Sequence, residues 1–364
     1  MLGTAPEAIF DPYYIPPQLL FRDSEKQVLR GMLLDSIEDK YTINVIITGH
    51  NGIGKTVLGN YTLNRELSVD YKMYFSDTTY STVQEIFEGF AISLGIPPHE
   101  TTTATISEIE KYSRKHPSEI ILFLDNINIR NVNMYKKVAR RTKQAKITTI
   151  ATMDYNTYYT LKKIETDREF IDMALQLGMY TEAQLVEIAK QKVRLAFPVH
   201  IHDELIEYMT DIIAEFDYTR PGTIVELLRL LFKEVIRGNK KINTCIIRNA
   251  CYELGLEGDN IFFFEELPNM TIEEITFLER INEIFLKETS EPYIDLDTLN
   301  GIFIDIANQF GLEYDNNLFR RLMYKVLDLG ILIESKIKPY SYFTITDPVL
   351  LHEVIRRNKF QNMR

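Results

Sequence analysis

Short apolar runs alternate with amphipathic stretches through the first half of the chain. Arg22 to Lys40 places Val28, Leu29, Met32 and Leu33 on one side, which predicts a helix. Ile43–Thr48 (INVIIT) is too brief for a buried helix and reads as a strand, as does Lys72–Phe75. Ser81 to Leu94 is amphipathic and stops at Gly95, a common helix terminator. Ile120–Leu124 (IILFL) and Ile147–Thr152 (ITTIAT) predict two further strands. Unalternating β-branched runs suit a parallel sheet covered on both faces, so the first half reads as α/β.

From about Tyr180 only helical spacing remains. Thr181–Leu195, His202–Phe216, Thr223–Arg237 and Asn243–Leu254 form a predicted helical unit punctuated by Gly222, Gly238 and Gly255. Glu257 to Met270 is irregular and acidic around an aromatic run, as a linker would be. Beyond it come three helices, Ile272–Lys287, Asp295–Gln309 and Asn316–Leu329, then strands Ile331–Ile337 and Tyr342–Ile345. Three helices closed by a hairpin is the winged-helix order. The expected boundaries are an α/β core at 1–178, a helical lid at 179–257 and a winged helix at 262–364.

A length of 364 residues suits two or three domains, and 45% apolar with 26% charged residues excludes wholesale disorder. No apolar run approaches the ~18 residues of a membrane helix. The opening MLGTAPEAIFDPYY has neither a basic n-region nor an apolar core, so a cytoplasmic protein without a secretory signal is expected. Cys245 and Cys251 fit neither a zinc site nor a disulfide framework and read as reduced thiols. A net charge of −11 argues against coating nucleic acid by charge alone.

The strongest motif is Gly49-His50-Asn51-Gly52-Ile53-Gly54-Lys55-Thr56, a full match to G-x-x-x-x-G-K-S/T between a predicted strand and a helix. Glycines let the loop wrap closely, so that backbone N–H groups through Val57 point at phosphates and the following helix dipole favours them. Lys55 is expected on the β- and γ-phosphates of bound ATP, or the β-phosphate of ADP, and Thr56 on Mg²⁺. Asp125, at the end of Ile120–Leu124, is the second expected magnesium ligand. Asn126 follows it; an amide positions a water but cannot accept its proton. Nucleotide binding with slow hydrolysis, or none, is the expectation.

The order of motifs resembles the archaeal origin-recognition and cell-division-control replication initiators, a branch of the AAA+ ATPases. Tyr14-Ile15-Pro16-Pro17-Gln18-Leu19-Leu20-Phe21-Arg22-Asp23 is similar to that family's opening Y-V/I-P-x-x-L-x-x-R-E/D. Ser76-Asp77-Thr78-Thr79-Tyr80 resembles its segment after the second strand, and Met179-Tyr180-Thr181-Glu182-Ala183-Gln184-Leu185 its lid start. The resemblance covers the whole chain in order. It implies nucleotide contacts from Tyr180 and Lys192, where the family more often has Arg, whose planar fork Lys lacks. A packing role for Tyr180 stands beside that reading.

Three family positions differ here. The polar sensor, usually Asn, falls at Thr152, with Met153 and Asp154 following. The second-sensor Arg falls near Gly222, which leaves Arg220 displaced. Arg168 is available as a finger into a neighbour's site, or is an exposed surface arginine.

The resemblance also implies double-stranded DNA as partner, origin recognition as function, nucleoid association, and contacts with other initiator subunits or a replicative helicase. Residues 258–314 hold 13 acidic and 2 basic side chains, whereas 315–341 hold 3 acidic and 5 basic. Leu318, Leu322, Val326 and Leu329 face the core of the candidate reading helix, leaving Asn317, Arg320, Arg321, Tyr324 and Lys325 for bases and phosphates. Lys336 and Lys338 on the hairpin are the expected wing contacts. A second basic element, Lys136, Lys137, Arg140, Arg141 and Lys143, is either functional or a solvated face. Winged helices also bind proteins, so a regulator or scaffold paralogue and a remodelling ATPase remain alternatives.

Overall fold

The computed structural model describes residues 6–116, 119–163, 170–238, 241–256, 267–287, 291–313 and 315–362. Most of the expected linker and Arg168 lie outside them. The chain divides into two compact units, one of residues Asp11–Met179 and one of Tyr180–Arg364 together with the N-terminal residues up to Phe10.

The first unit runs α1 (Asp23–Glu38), β1 (Asn44–Thr48), α2 (Lys55–Tyr61), β2 (Lys72–Asp77), α3 (Val83–Ser93), α4 (Thr102–Lys115), β3 (Ile120–Ile127), α5 (Val132–Gln144), β4 (Thr148–Met153), α6 (Tyr155–Lys162) and β5 (Met173–Gln176). Its five strands form a parallel sheet in the order β2-β3-β4-β1-β5. Successive side chains point to opposite faces of a strand. Leu122 and Leu124 of β3 therefore join Phe87 and Phe90 of α3, Ile109 of α4, Tyr135 and Val138 of α5 and Leu161 of α6 in one core. Phe123 points the other way, under α2, where Gly59 allows close approach: a Cβ there would lie 2.6 Å from Phe123 Cζ.

Helices α4 and α6 and strand β5 go beyond the elements the sequence pattern predicts. β5 escapes notice because it is four residues long and only half-buried, with no sustained apolar run. β3 continues past Leu124 through a register shift, with Asn126 in left-handed backbone at φ 61°. Asn tolerates that region better than most residues.

In the second unit, α7 (Glu182–Ala196), α8 (Asp203–Phe216), α9 (Pro221–Gly238) and α10 (Thr244–Glu253) follow their predicted spans closely. Thr181 and Gln184 close a capping box that fixes the start of α7. Phe10, in the turn Pro6–Phe10, packs its ring 5.5 Å from Phe232 and 6.2 Å from Phe197. There follow α11 (Ile272–Leu286), β6 (Ile294–Asp295), α12 (Leu296–Phe310), α13 (Asn316–Asp328), β7 (Ile333–Glu334), β8 (Ser341–Phe343) and α14 (Pro348–Asn362). The small sheet is antiparallel in the order β6-β8-β7.

The hairpin is shorter than predicted. Ser335, expected inside a strand over Ile331–Ile337, turns its hydroxyl to Asp211 of α8 and ends the ladder. The final helix lies beyond the predicted elements, although Asp347-Pro348 is a helix-start signal. Asp347 accepts from Val349 N at 2.8 Å, and Leu351 and Ile355 enter the core with Phe277 and Ile281. Among the described residues, no helix is long and apolar enough to cross a membrane.

Candidate nucleotide site and cationic surfaces

β1 delivers the chain into the loop Gly49–Gly54, and α2 begins at Lys55. Gly52 and Gly54 have φ of 76° and 96°, conformations glycine adopts without steric cost. Ile53 is fully buried and pins the loop, leaving Asn51 and Gly52 exposed; Val57 lies half-buried in the first turn of α2. A Cβ on Gly49 would come within 3.0 Å of Ile53 Cγ2. Lys55 Nζ donates to the carbonyls of Gly49 at 2.9 Å and His50 at 2.8 Å. Burial pushes its ammonium down to about 8.

Three strand and helix ends converge on Asp125, which is 1% exposed. Its Oδ1 accepts from Thr56 Oγ1 at 2.7 Å and from Thr152 Oγ1 at 2.5 Å. Burial raises its carboxyl pKa against the opposing effect of these hydrogen bonds. The same Thr152 oxygen accepts from Asn126 N at 3.0 Å. Met153, fully buried, cannot serve as a polar sensor, and Asp154 caps α6 through Thr157 N at 2.7 Å.

Magnesium prefers hard oxygen ligands and usually takes one or two from protein, the rest from water and phosphate. Thr56 Oγ1 and Asp125 Oδ1 are oxygens already in contact at the phosphate loop, so the donor set fits that ion. Among the described residues there is no cluster of three or more His, Cys, Asp or Glu side chains suited to a metal held by protein alone.

Asp77 and Tyr13 belong to this site but were not singled out. Asp77 ends β2 and is the register partner of Asp125. It accepts from Tyr13 OH at 2.7 Å, Thr79 Oγ1 at 2.6 Å and Asn126 Nδ2 at 3.3 Å. Burial works against its charge, yet these bonds hold its pKa below the ordinary carboxylate value. The available signal was its place at a strand terminus in the resembling segment Ser76–Tyr80.

The residues expected to reach the nucleotide from a lid have other partners. Tyr180 is buried, and its carbonyl accepts from Thr219 Oγ1 at 2.7 Å. Lys192 Nζ donates to Ile9 O at 3.0 Å, and burial pushes its pKa down to about 8. Arg220 pairs with Asp217.

On α13, Asn317, Arg320, Arg321 and Tyr324 are exposed as expected. Lys325 instead pairs with Glu274 of α11 at 2.7 Å. The hairpin lysines expected as wing contacts also have partners of their own chain, because acidic α8 lies within reach. Lys336 pairs with Glu215 at 2.9 Å, and Lys338 meets Glu204 at 2.8 Å and Glu207 at 3.2 Å, with Tyr293 beneath it.

The five-stranded parallel sheet, the loop between β1 and α2, and Asp125 near the end of β3, separated from β1 by β4, make an α/β fold that carries the parts of a nucleotide site. No protein-family model matches the chain. It is 24% identical over 366 residues to an ORC1-type DNA replication protein of Desulfurococcus amylolyticus, covering 93% of this chain and 89% of that one. Among solved structures, Cdc6p of Pyrobaculum aerophilum superposes with a TM-score of 0.76 at 16% identity, covering 98% of this chain and 99% of that one. The ORC2 protein of Aeropyrum pernix, in ADPNP and ADP complexes, gives 0.56 at 18% identity, with 98% of each chain covered. The ORC1 protein of the same organism, in complex with DNA, gives 0.59 at 15% identity, covering 98% of this chain and 97% of that one. The chain thus resembles the archaeal ORC1 and Cdc6 replication proteins over nearly its whole length and shares their fold.

Proposed function

We propose that the protein is a replication initiator that binds ATP mainly as a conformational ligand and grips duplex DNA through a C-terminal winged helix and its core. The observation that carries the nucleotide half is the contact of Thr56 and Asp125 at the end of a complete phosphate loop, with Lys55 beside them. The ADPNP and ADP complexes of the Aeropyrum ORC2 relative support it. Asn126 in place of a carboxylate, Met153 at the strand end and Gly222 in the lid favour slow hydrolysis. The reading divides the chain into core 1–178, lid 179–257 and winged helix 262–364.

Helices α11 to α13 with the three-stranded sheet supply the winged-helix arrangement, and α13 is the reading helix. Its exposed Asn317, Arg320, Arg321 and Tyr324 suit base edges and phosphates. The DNA complex of the Aeropyrum ORC1 protein supports DNA as the partner. A second reading, a regulator or scaffold whose winged helix binds protein, draws on Lys336 and Lys338 being committed to α8.

Fluorescence anisotropy at two salt concentrations with ATP, ADP or no nucleotide tests the proposal. An initiator prefers some genomic fragments over random duplex and binds them more tightly with ATP, and DNA in turn tightens ATP. Absence of DNA binding at low salt makes the scaffold reading the better one. A turnover above about 1 per second, ordinary for an enzyme, overturns the slow-hydrolysis part.

A further inference from the structure

Between Asp125 and Asp154 the sequence holds seven basic side chains and no acidic one, in a chain of net charge −11. Most of them lie on α5 and just beyond it. Val132, Tyr135, Val138, Ala139 and Thr142 bury one face of that helix. At 100° per residue, Lys137 then stands opposite the core, with Arg141 one turn further on the same line. Both are exposed, as is Lys146 immediately after the helix. The opposite flank is engaged: Arg140 lies over the Phe170 ring at 5.6 Å, and Lys143 pairs with Asp172 at 2.8 Å.

The contrast with the wing is informative. Lys325, Lys336 and Lys338 meet carboxylates of their own chain. Lys137, Arg141 and Lys146 make no ion pair with any described residue. We infer that this outer line of α5 is a docking surface for the phosphate backbone of duplex DNA, an inference that rests on the DNA-binding reading above and moves much of its electrostatic footing from the wing to the core.

The spacing suits that partner. Residues four apart on a helix rise about 6 Å, so the line presents closely spaced cations to a duplex that carries one phosphate charge per ~1.7 Å of its axis. Lysine and arginine side chains without base-edge geometry make such contact independent of sequence. The surface lies on the sheet face away from α2, since α5 packs with Leu122 and Leu124 while α2 packs on Phe123. Nucleotide and duplex therefore do not compete for it.

The test is the salt dependence of binding to a random 30-base-pair duplex by the full chain, its Lys137→Ala/Arg141→Ala/Lys146→Ala variant, and an Arg320→Ala/Arg321→Ala variant. The α5 variant should flatten the slope of log K against log salt by about 1 per residue, and weaken binding about tenfold or more at low salt. Its ATP affinity should stay within twofold, which reports an intact core. A slope equal to that of the unaltered chain overturns the inference while leaving DNA binding by α13 in place, whereas no binding by the unaltered chain overturns the DNA reading itself. Equal capture of polyglutamate of matched charge, lost in the same variant, makes the partner an acidic protein and overturns the duplex assignment.

Discussion

Asn126 Nδ2 lies 3.3 Å from Asp77 Oδ1, so an amide on β3 faces a carboxylate on β2. The residue after Asp125 is where a hydrolytic base would act, and here the carboxylate stands one strand away, held also by Tyr13 and Thr79. On the proposed slow-hydrolysis reading Asn126 offers an amide where a base is needed, while Asp77 is occupied as an acceptor.

Exchanging the two groups should restore a base. The double variant Asp77→Asn/Asn126→Glu should release phosphate from Mg-ATP at least tenfold faster than the unaltered chain, a modest share of the 10²–10⁴-fold a positioned base typically gives. Asn126→Glu alone should gain less, because the new carboxylate faces Asp77. Both variants should lose about 1 kcal/mol of stability, since φ at 126 is 61° and Glu is strained there. Phosphate release equal to that of the unaltered chain would show that position 126 does not limit turnover.

Lys55 gives a pH signature. Its amine is pushed down to about 8 by burial, and phosphates need the ammonium form. ATP affinity should therefore hold near pH 7 and fall as pH rises through 8 to 9. Near pH 8 binding should take up protons, because bound phosphate favours the charged amine. Titration calorimetry in buffers of different ionisation heat reads this directly. Lys55→Ala should abolish both the binding and the proton uptake.

Much of this architecture was legible in the sequence because it follows from local rules. The phosphate loop is contiguous and carries Thr56, and Asp125 closes the apolar run Ile120–Leu124. What stayed hidden depends on pairings between distant segments. Asp77 matters only because β2 registers against β3, and nothing local marks Lys336 and Lys338 as partners of α8 more than a hundred residues earlier. Lys192 illustrates the same limit. Its spacing from Tyr180 matched a nucleotide contact, yet the fold of its own unit sends the side chain to the Ile9 carbonyl.

Lys192 should accordingly act on stability rather than on the ligand. Lys192→Met should leave ATP affinity within twofold. The sign of its pH effect follows from a folded pKa of about 8 against about 10.4 for an unfolded lysine. Between those values the unfolded state binds more protons, so stability gained from this residue rises with pH. Denaturant unfolding at pH 7 and pH 9.5 should show the unaltered chain gaining on the Met variant at the higher pH. A tenfold loss of ATP affinity would return Lys192 to the nucleotide site.

Asp211 joins α8 to the β7–β8 turn. Its carboxylate, 1% exposed, accepts from Tyr293 OH at 2.8 Å, Ser335 Oγ at 2.5 Å and Lys336 N at 2.9 Å. Asp211→Ala strands several buried donors and should cost about 2–4 kcal/mol, whereas Lys338→Ala, which removes a part-exposed pair, should cost under ~1. Burial raises the Asp211 pKa despite those donors, so the folded state binds a proton more readily than the unfolded one. The stability linked to this raised pKa is present at low pH and is lost as pH rises through the folded value. Asp211→Asn removes that dependence, and the unaltered chain should therefore gain on the Asn variant as pH falls from neutral towards the ordinary carboxylate range. If the difference between the two chains instead stays flat, or moves the other way, the carboxylate is ionised without penalty and its hydrogen bonds outweigh its burial.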